Sequence, residues 1–199
     1  MPVTLSDICS ISSGYTARSR LEEVANGVLT LQMRDIGEHA TVSAGGLMRS
    51  SFEGGVDRYL VGAGDVVFRS KGERNAAAYL DRDFPSRAVA LLPVMILRVK
   101  NVVMPEYLVW AINQPEAQRH FEGDMRSGTI RSVPKATLES LPINLPDLET
   151  QHKIVEIDRL LRMELELSRE LLSLRQKLVS QELKLLAKGA PNRAANGRK

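Results

Sequence analysis

With 199 residues, 43% of them apolar, the chain is long enough for one ordinary domain with an appendage, and wholesale disorder is excluded. Its formal charge of +3 sits in the tail as Arg193, Arg198 and Lys199, so the remaining 24 basic residues match the 24 acidic ones. Any nucleic-acid surface must therefore be a local segregation of charge.

Cys9 stands alone, which excludes an intrachain disulfide framework or a cysteine metal site and suits a reducing compartment; it reads as a buried small apolar residue. The start, MPVTLSDICSI, has no basic flank before an apolar stretch. No window approaches the roughly 18 apolar residues of a spanning helix, so the expectation is a soluble cytoplasmic protein with no membrane association.

Residues 1–148 mix short β-like runs with loops rich in Gly, Ser and Arg. VLTLQMRDI (28–36), DVVFRS (65–70) and AVALLPVMILRV (88–99) are rich in Val, Ile and Leu and bounded by turn residues, which predicts strands. SAGGLMRS and SFEGGVDR are loops by composition. PEYLVWAINQPEAQRHFEGDMR (105–126) predicts two short helices, the second opening at Pro115. The expected architecture is α+β. The basic side chains of this part are 13 Arg and 3 Lys. That bias suits bidentate contact with guanine edges and phosphates, and an Arg-rich genome accounts for it equally well.

SLPINLPDLETQHKIVEI (140–157) carries Pro142 and Pro146 through an alternating apolar run and then changes into helix-forming sequence. Residues 149–188 hold no Gly and no Pro, and Gly189 and Pro191 supply the stop. Forty helical residues would run about 60 Å, beyond any domain built from the first 148, so a partner helix is required. With Ile157 at heptad position a, the a and d positions are Ile157, Leu160, Glu164, Leu167, Leu171, Leu174, Leu178, Gln181 and Leu185, the predicted dimer interface of a coiled-coil spacer. Leu165, Leu172, Val179 and Leu186 at b, with Ile154 and Leu161 at e, widen the stripe beyond a two-stranded seam. Residues 189–199 form an expected disordered basic tail.

Catalytic signatures are missing. His39, His120 and His152 are scattered without metal-ligand spacing, and VGAGDVV (61–67) lacks the third glycine and the helix of a dinucleotide site. It reads as a turn entering a strand. There is no GxxxxGK[ST], no G-x-S-x-G and no Asn/Asp-Pro-Pro-Tyr/Phe run. The expectation is a protein that is not an enzyme, with no metal and no cofactor in this chain.

The pieces resemble the specificity (S) subunits of type I restriction-modification systems, in a half-length form with one target-recognition domain. TLSDICSISSGYT is similar to the family's Leu-x-[DE]-[IV] entry followed by Gly-x-Thr. YLVGAGDVVFRSKG is similar to its Gly-Asp-[IV]-[LV] strand and basic or small loop, and PEYLVWAINQP to its Pro-x-[YF]-[LV] helix. SGTIRSVPKATLESLPINLPDLETQHKIVEI resembles its Gly-x-Thr through Leu-Pro-x-Pro to Glu-x-Gln-x-x-Ile stretch. The run NLPD at 144–147 departs where the family prefers a second proline, and a full S subunit carries two recognition domains and two such helices.

The resemblance implies a target-recognition domain over 1–148 that binds one half of a split double-stranded DNA sequence, and a helix over 149–188 that serves as spacer and as dock for methyltransferase (M) subunits. Those subunits would bring S-adenosylmethionine and methylate adenine, and a restriction (R) subunit could join them. The expected DNA contacts are loop residues Arg34, Arg69, Lys71, Arg74, Arg126, Thr129, Arg131 and Lys135. The best of these loops, 69–75, packs three cations and an amide around a glycine just after a strand. The chain is expected to work as a homodimer with antiparallel helices, because an axis between Leu172 and Ser173 sets Glu164 against Gln181, whereas a parallel pair sets Glu164 against its own copy. The target is then expected to be palindromic. Two other readings remain: a coiled-coil adaptor without DNA affinity, and a detached recognition module of another defence methyltransferase.

Overall fold

The structure is a computed structural model that describes residues 2–37, 42, 44–52, 54–72, 75–84, 87–123 and 132–189. The chain divides into two compact units, Met1–Val155 and Glu156–Lys199.

The first unit begins with a short strand, β1 (Pro2–Thr4), and a single helical turn, α1 (Leu5–Ile8). Thr4 opens that turn: its backbone N–H and its hydroxyl both donate to Asp7 Oδ2, at 2.9 and 2.6 Å. These bonds hold the Asp7 carboxyl below the usual carboxylate range. The apolar residues of the turn, Leu5 and Ile8, point into the core.

Two four-stranded sheets follow. The central one runs β2 (Cys9–Ser13), β9 (Val94–Val99), β6 (Val66–Arg69), β7 (Ala76–Tyr79), antiparallel throughout. The outer one runs β4 (Arg49–Ser50), β3 (Glu23–Leu31), β8 (Ala88–Ala90), β5 (Leu60–Val61), with β3 and β8 parallel. The helices α2 (Pro105–Ile112), α3 (Pro115–Gly123) and α4 (Lys135–Glu139) complete the unit. The first two are the helices predicted from the prolines. The alternating run around Pro142 supplies a short strand, β10 (Pro142–Asn144), which pairs antiparallel with β1 and joins the start of the unit to its end.

Strand periodicity sorts the side chains into two cores. Phe68 and Leu97 of the central sheet pack with Leu108, Phe121 and Leu138 of the helices. Val67 and Ile96, one residue along in each strand, pack with Leu29 and Leu31 of the outer sheet. The central sheet is thus covered on both faces, which is why β6 reads as a continuous apolar run rather than an alternation.

Two predicted strands differ from expectation. AVALLPVMILRV is two strands in different sheets, parted by Leu91, Leu92 and Pro93 with a cis Leu92–Pro93 peptide. Pro93 has no N–H to give to a ladder, so the run turns there. VLTLQMRDI stops as a strand at Leu31, and Met33–Asp35 forms a 3-10 turn whose N-terminal neighbour Gln32 donates its N–H to Asp35 Oδ2 at 2.7 Å.

The helix α5 (Leu148–Gly189) spans 42 residues, about 63 Å at 1.5 Å per residue. Asp147 starts it, accepting the Thr150 N–H at 2.7 Å, and that bond lowers its carboxyl pKa. Its first two turns belong to the first unit, where Ile154 and Val155 pack against the helical core. Gln151 is fully buried there: Oε1 accepts the Met104 N–H at 2.9 Å, and Nε2 donates to the carbonyls of Pro146 (2.8 Å) and Val102 (3.2 Å). In the second unit the helix carries ion pairs between Arg159 and Glu156 and between Arg162 and Asp158. The tail beyond Gly189 lies outside the described residues. Among the described residues no helix is long and apolar enough to cross a membrane.

Candidate nucleic-acid interface

The loops at one end of the two sheets bring together residues far apart in sequence. Strand β6 ends at Arg69, whose guanidinium donates to the Ile36 carbonyl at 3.3 Å. Ile36 closes the 3-10 turn that carries Arg34. The Arg34 side chain is 65% exposed, with Nε 3.8 Å from Asp35 Oδ1. Burial pushes the Asp35 carboxyl up, against the lowering effects of the Gln32 N–H and of Arg34. Arg69 thus ties the end of β6 to the 3-10 turn that carries Arg34.

Beyond Arg69 the chain is braced by buried polar groups. The Ser70 N–H and hydroxyl both donate to the Pro93 carbonyl, at 3.2 and 2.7 Å, and the Ser70 carbonyl accepts the Val133 N–H at 2.8 Å. Lys71 pairs antiparallel with Ser132. Asn75, also buried, donates from Nδ2 to the Arg69 carbonyl at 3.2 Å and closes the loop on itself. Gly72 sits at φ +113, a conformation that only glycine adopts without strain. The described residues of the loop predicted as the best DNA contact are thus held at Arg69, Ser70 and Asn75 and leave Lys71 exposed. The loop is stitched to the segment that leads into α4.

Of the eight predicted contact residues, Arg34, Arg69 and Lys71 gather at this end. Lys135, exposed, opens α4 three residues beyond Ser132 and pairs with Glu139 at 3.3 Å. Arg74, Arg126, Thr129 and Arg131 lie outside the described residues. Arg69 differs in kind from Lys71: its guanidinium is half-buried and engaged in tying β6 to the 3-10 turn.

The motif residues Gly14 and Tyr15, to which the sequence assigned no role, belong to the same end. The Gly14 N–H donates to the Val94 carbonyl (2.9 Å) and the Tyr15 N–H to that of Ala90 (2.7 Å), while Leu92 N–H donates to the Tyr15 carbonyl (2.9 Å). The backbones approach so closely that a Cβ on Gly14 would stand 2.7 Å from the Ala90 oxygen and 2.8 Å from that of Val94. The quoted Gly-Tyr-Thr was the signal that could have found this contact. Among the described residues no group of three His, Cys, Asp or Glu side chains gathers to hold a metal ion.

The predicted seam of α5 lies open. Its seven apolar members range from 50% exposed at Leu171 to 67% at Ile157. Glu164 and Gln181 are exposed among them. So long a row of bare aliphatic side chains is the mark of an interaction surface.

Comparison with known proteins fits this architecture. The chain is 30% identical over 97 residues to the specificity subunit of the type I restriction enzyme HindI of Haemophilus influenzae, a match over 47% of this chain and 21% of that one. A chain from a type I R-M system, solved for its complex assembly and conformational transition, superposes with a TM-score of 0.63 at 20% identity, over 94% of this chain and 43% of its own. The HsdS subunit from Thermoanaerobacter tengcongensis gives 0.56 at 21% identity, over 82% and 37%. The chain thus spans less than half the length of each of these proteins. The family model for the type I restriction modification DNA specificity domain matches residues 1–173, and with a match over that much of its length the chain belongs to this family.

Proposed function

We propose that this chain is a sequence-recognition subunit that reads one half of a split double-stranded DNA target and directs partner methyltransferase subunits to it. The observation that carries the reading is the convergence of Arg34, Arg69 and Lys71 at one end of the two sheets, next to a backbone turn that also holds Tyr15. Basic residues gathered in one place, within a body whose charges balance as a whole, make a local phosphate and base-edge surface. The bonds at Ser70 and Asn75 suit the task, because backbone already held in place loses little freedom on binding.

In this reading the chain is not an enzyme and binds no cofactor of its own. S-adenosylmethionine and the adenine methyl transfer belong to the M subunits, and a restriction subunit joins the same complex in the cytoplasm. The seam from Ile157 to Leu185 pairs with that of a second copy, antiparallel, with Glu164 facing Gln181 across the axis. The two recognition domains then read a palindromic target with a fixed gap.

An electrophoretic shift tests the reading. The purified chain with its M subunit retards a duplex enriched from a random pool and not an unrelated duplex, whereas equal retardation of both, or none, would refute it. The purified chain alone retains no radiolabelled S-adenosylmethionine on a filter; retention would contradict the division of labour.

A further inference from the structure

Three aromatic side chains belong to neither core. Tyr15 follows β2, Phe52 follows β4, and Tyr59 ends the 3-10 turn Asp57–Tyr59 before β5. Their rings nevertheless meet: Tyr15 stands edge to face with Phe52 (centroids 5.3 Å apart, planes at 88°) and with Tyr59 (5.3 Å, 84°). All three are half-buried, whereas the core rings of Phe68 and Phe121 have no exposed surface. The Arg58 guanidinium lies over the Tyr59 ring, 4.6 Å from its centre. Arg18 and Arg20 are exposed on the segment after Tyr15.

The position of this cluster gives it a use. Tyr15 is bonded through its backbone to Ala90 and Leu92, and the next residue, Pro93, holds Ser70, the neighbour of Lys71. Tyr15 and the start of the basic loop are thus bonded to the same short segment, residues 90–93. A small cluster of this kind under a loop can serve packing alone, but packing gains most from full burial, and these rings keep part of their surface in water beside the Arg58 guanidinium.

We propose that Tyr15, Phe52 and Tyr59 form an apolar contact that reads the C5-methyl group of a thymine in the target, an inference that rests on the DNA-recognition reading above. The chemistry selects the ligand. Base edges in the major groove present hydrogen-bond donors and acceptors, with the thymine methyl as the apolar exception. Ring edges and faces held at right angles offer a small apolar surface of the size of one methyl group. Arg58, over the Tyr59 ring, binds a flanking phosphate and supplies no base preference.

The test uses the full chain and a duplex enriched from a random pool, in which each thymine is replaced in turn by deoxyuracil, so that one methyl group is removed and every hydrogen-bonding group remains. Affinity is read by fluorescence anisotropy. One position is expected to cost about fourfold, the ratio that corresponds to roughly 0.8 kcal/mol for one buried methyl. Tyr15→Ala and Phe52→Ala should bind the thymine and uracil duplexes equally, and Tyr15→Phe should restore the discrimination. The scan on the unaltered chain needs no variant to fold, and indifference to uracil at every position overturns the proposal. So does a uracil penalty that survives both alanine substitutions in folded protein. Failure to enrich any sequence would instead sink the DNA-recognition reading itself, and this proposal with it.

Discussion

Asn113 completes the edge of the central sheet at Ala77. Its Oδ1 accepts the Ala77 N–H and its Nδ2 donates to the Ala77 carbonyl, both at 2.9 Å. One amide side chain from the end of α2 thus replaces a neighbouring strand, and the edge is closed to pairing with another chain. Asn113→Ala leaves two backbone groups of a fully buried residue without partners. At about 1–3 kcal/mol for each buried unsatisfied group, the variant should be destabilised by roughly 2–6 kcal/mol. Urea denaturation followed by circular dichroism measures this, and a change below about 0.5 kcal/mol would contradict the role.

Gly14→Ala should be costly for a different reason. The added methyl meets backbone oxygens of Ala90 and Val94, which cannot swing aside as a side chain could. Displacing the end of β2 should cost about 1–3 kcal/mol, as overpacking does in a filled core. A thermal melt of the variant lying within a degree or so of the parent would show that the turn yields freely.

Burial pushes the Cys9 thiol from its ordinary value of 9.0 up to about 12. Its Sγ–H donates to the Leu5 carbonyl at 3.3 Å. The folded state therefore keeps a proton that the unfolded state gives up above about pH 9, so this group's contribution to stability is complete below pH 9 and declines as pH rises from there to about 12. Two results are expected. A thiol reagent at pH 8 should leave native Cys9 unmodified and react on unfolding, and Cys9→Ala should flatten the loss of stability above pH 9. Rapid modification of the native protein would show that the site opens.

The seam of α5 predicts a mass in solution of twice 22.0 kDa at micromolar concentration. Replacing Leu171 and Leu174 together by Arg puts charges where the antiparallel register matches these two positions, and should convert the dimer to monomer while the first unit keeps its fold. Light scattering gives the mass. A monomeric parent chain would end the homodimer proposal.

At the basic end, Lys71 and Arg69 should behave differently. Lys71 is exposed, so Lys71→Ala should weaken binding to all DNA sequences alike and reduce the salt dependence by about one unit of slope. Arg69 also ties β6 to Ile36, so Arg69→Ala should lower stability as well as affinity. Anisotropy titrations at several salt concentrations, paired with melting curves, separate the two effects.

The long helix and the two short proline-led helices were legible because their signals are local: forty residues without Gly or Pro, and Pro105 and Pro115 at first turns. The split of the run 88–99 between two sheets was not, since Val, Ile and Leu on both sides of Pro93 serve either arrangement. The loop 69–75 was singled out by its charge. Its bracing by Ser70, Asn75 and Val133 was not, because those bonds join residues up to 63 positions apart and leave no periodic trace. The aromatic cluster was missed for the same reason, with Phe52 and Tyr59 meeting Tyr15 from well beyond it in the sequence.

Val67 and Phe68 are neighbours on one strand, yet their side chains enter opposite cores. Melting either core exposes a face of β6 and removes the support from the other, so two hydrophobic clusters in one unit need not mean two transitions. The layers around the central sheet should lose their structure together, with calorimetric and van 't Hoff enthalpies in agreement for the first unit. A substitution such as Val67→Ala would then be felt by the helices it never touches.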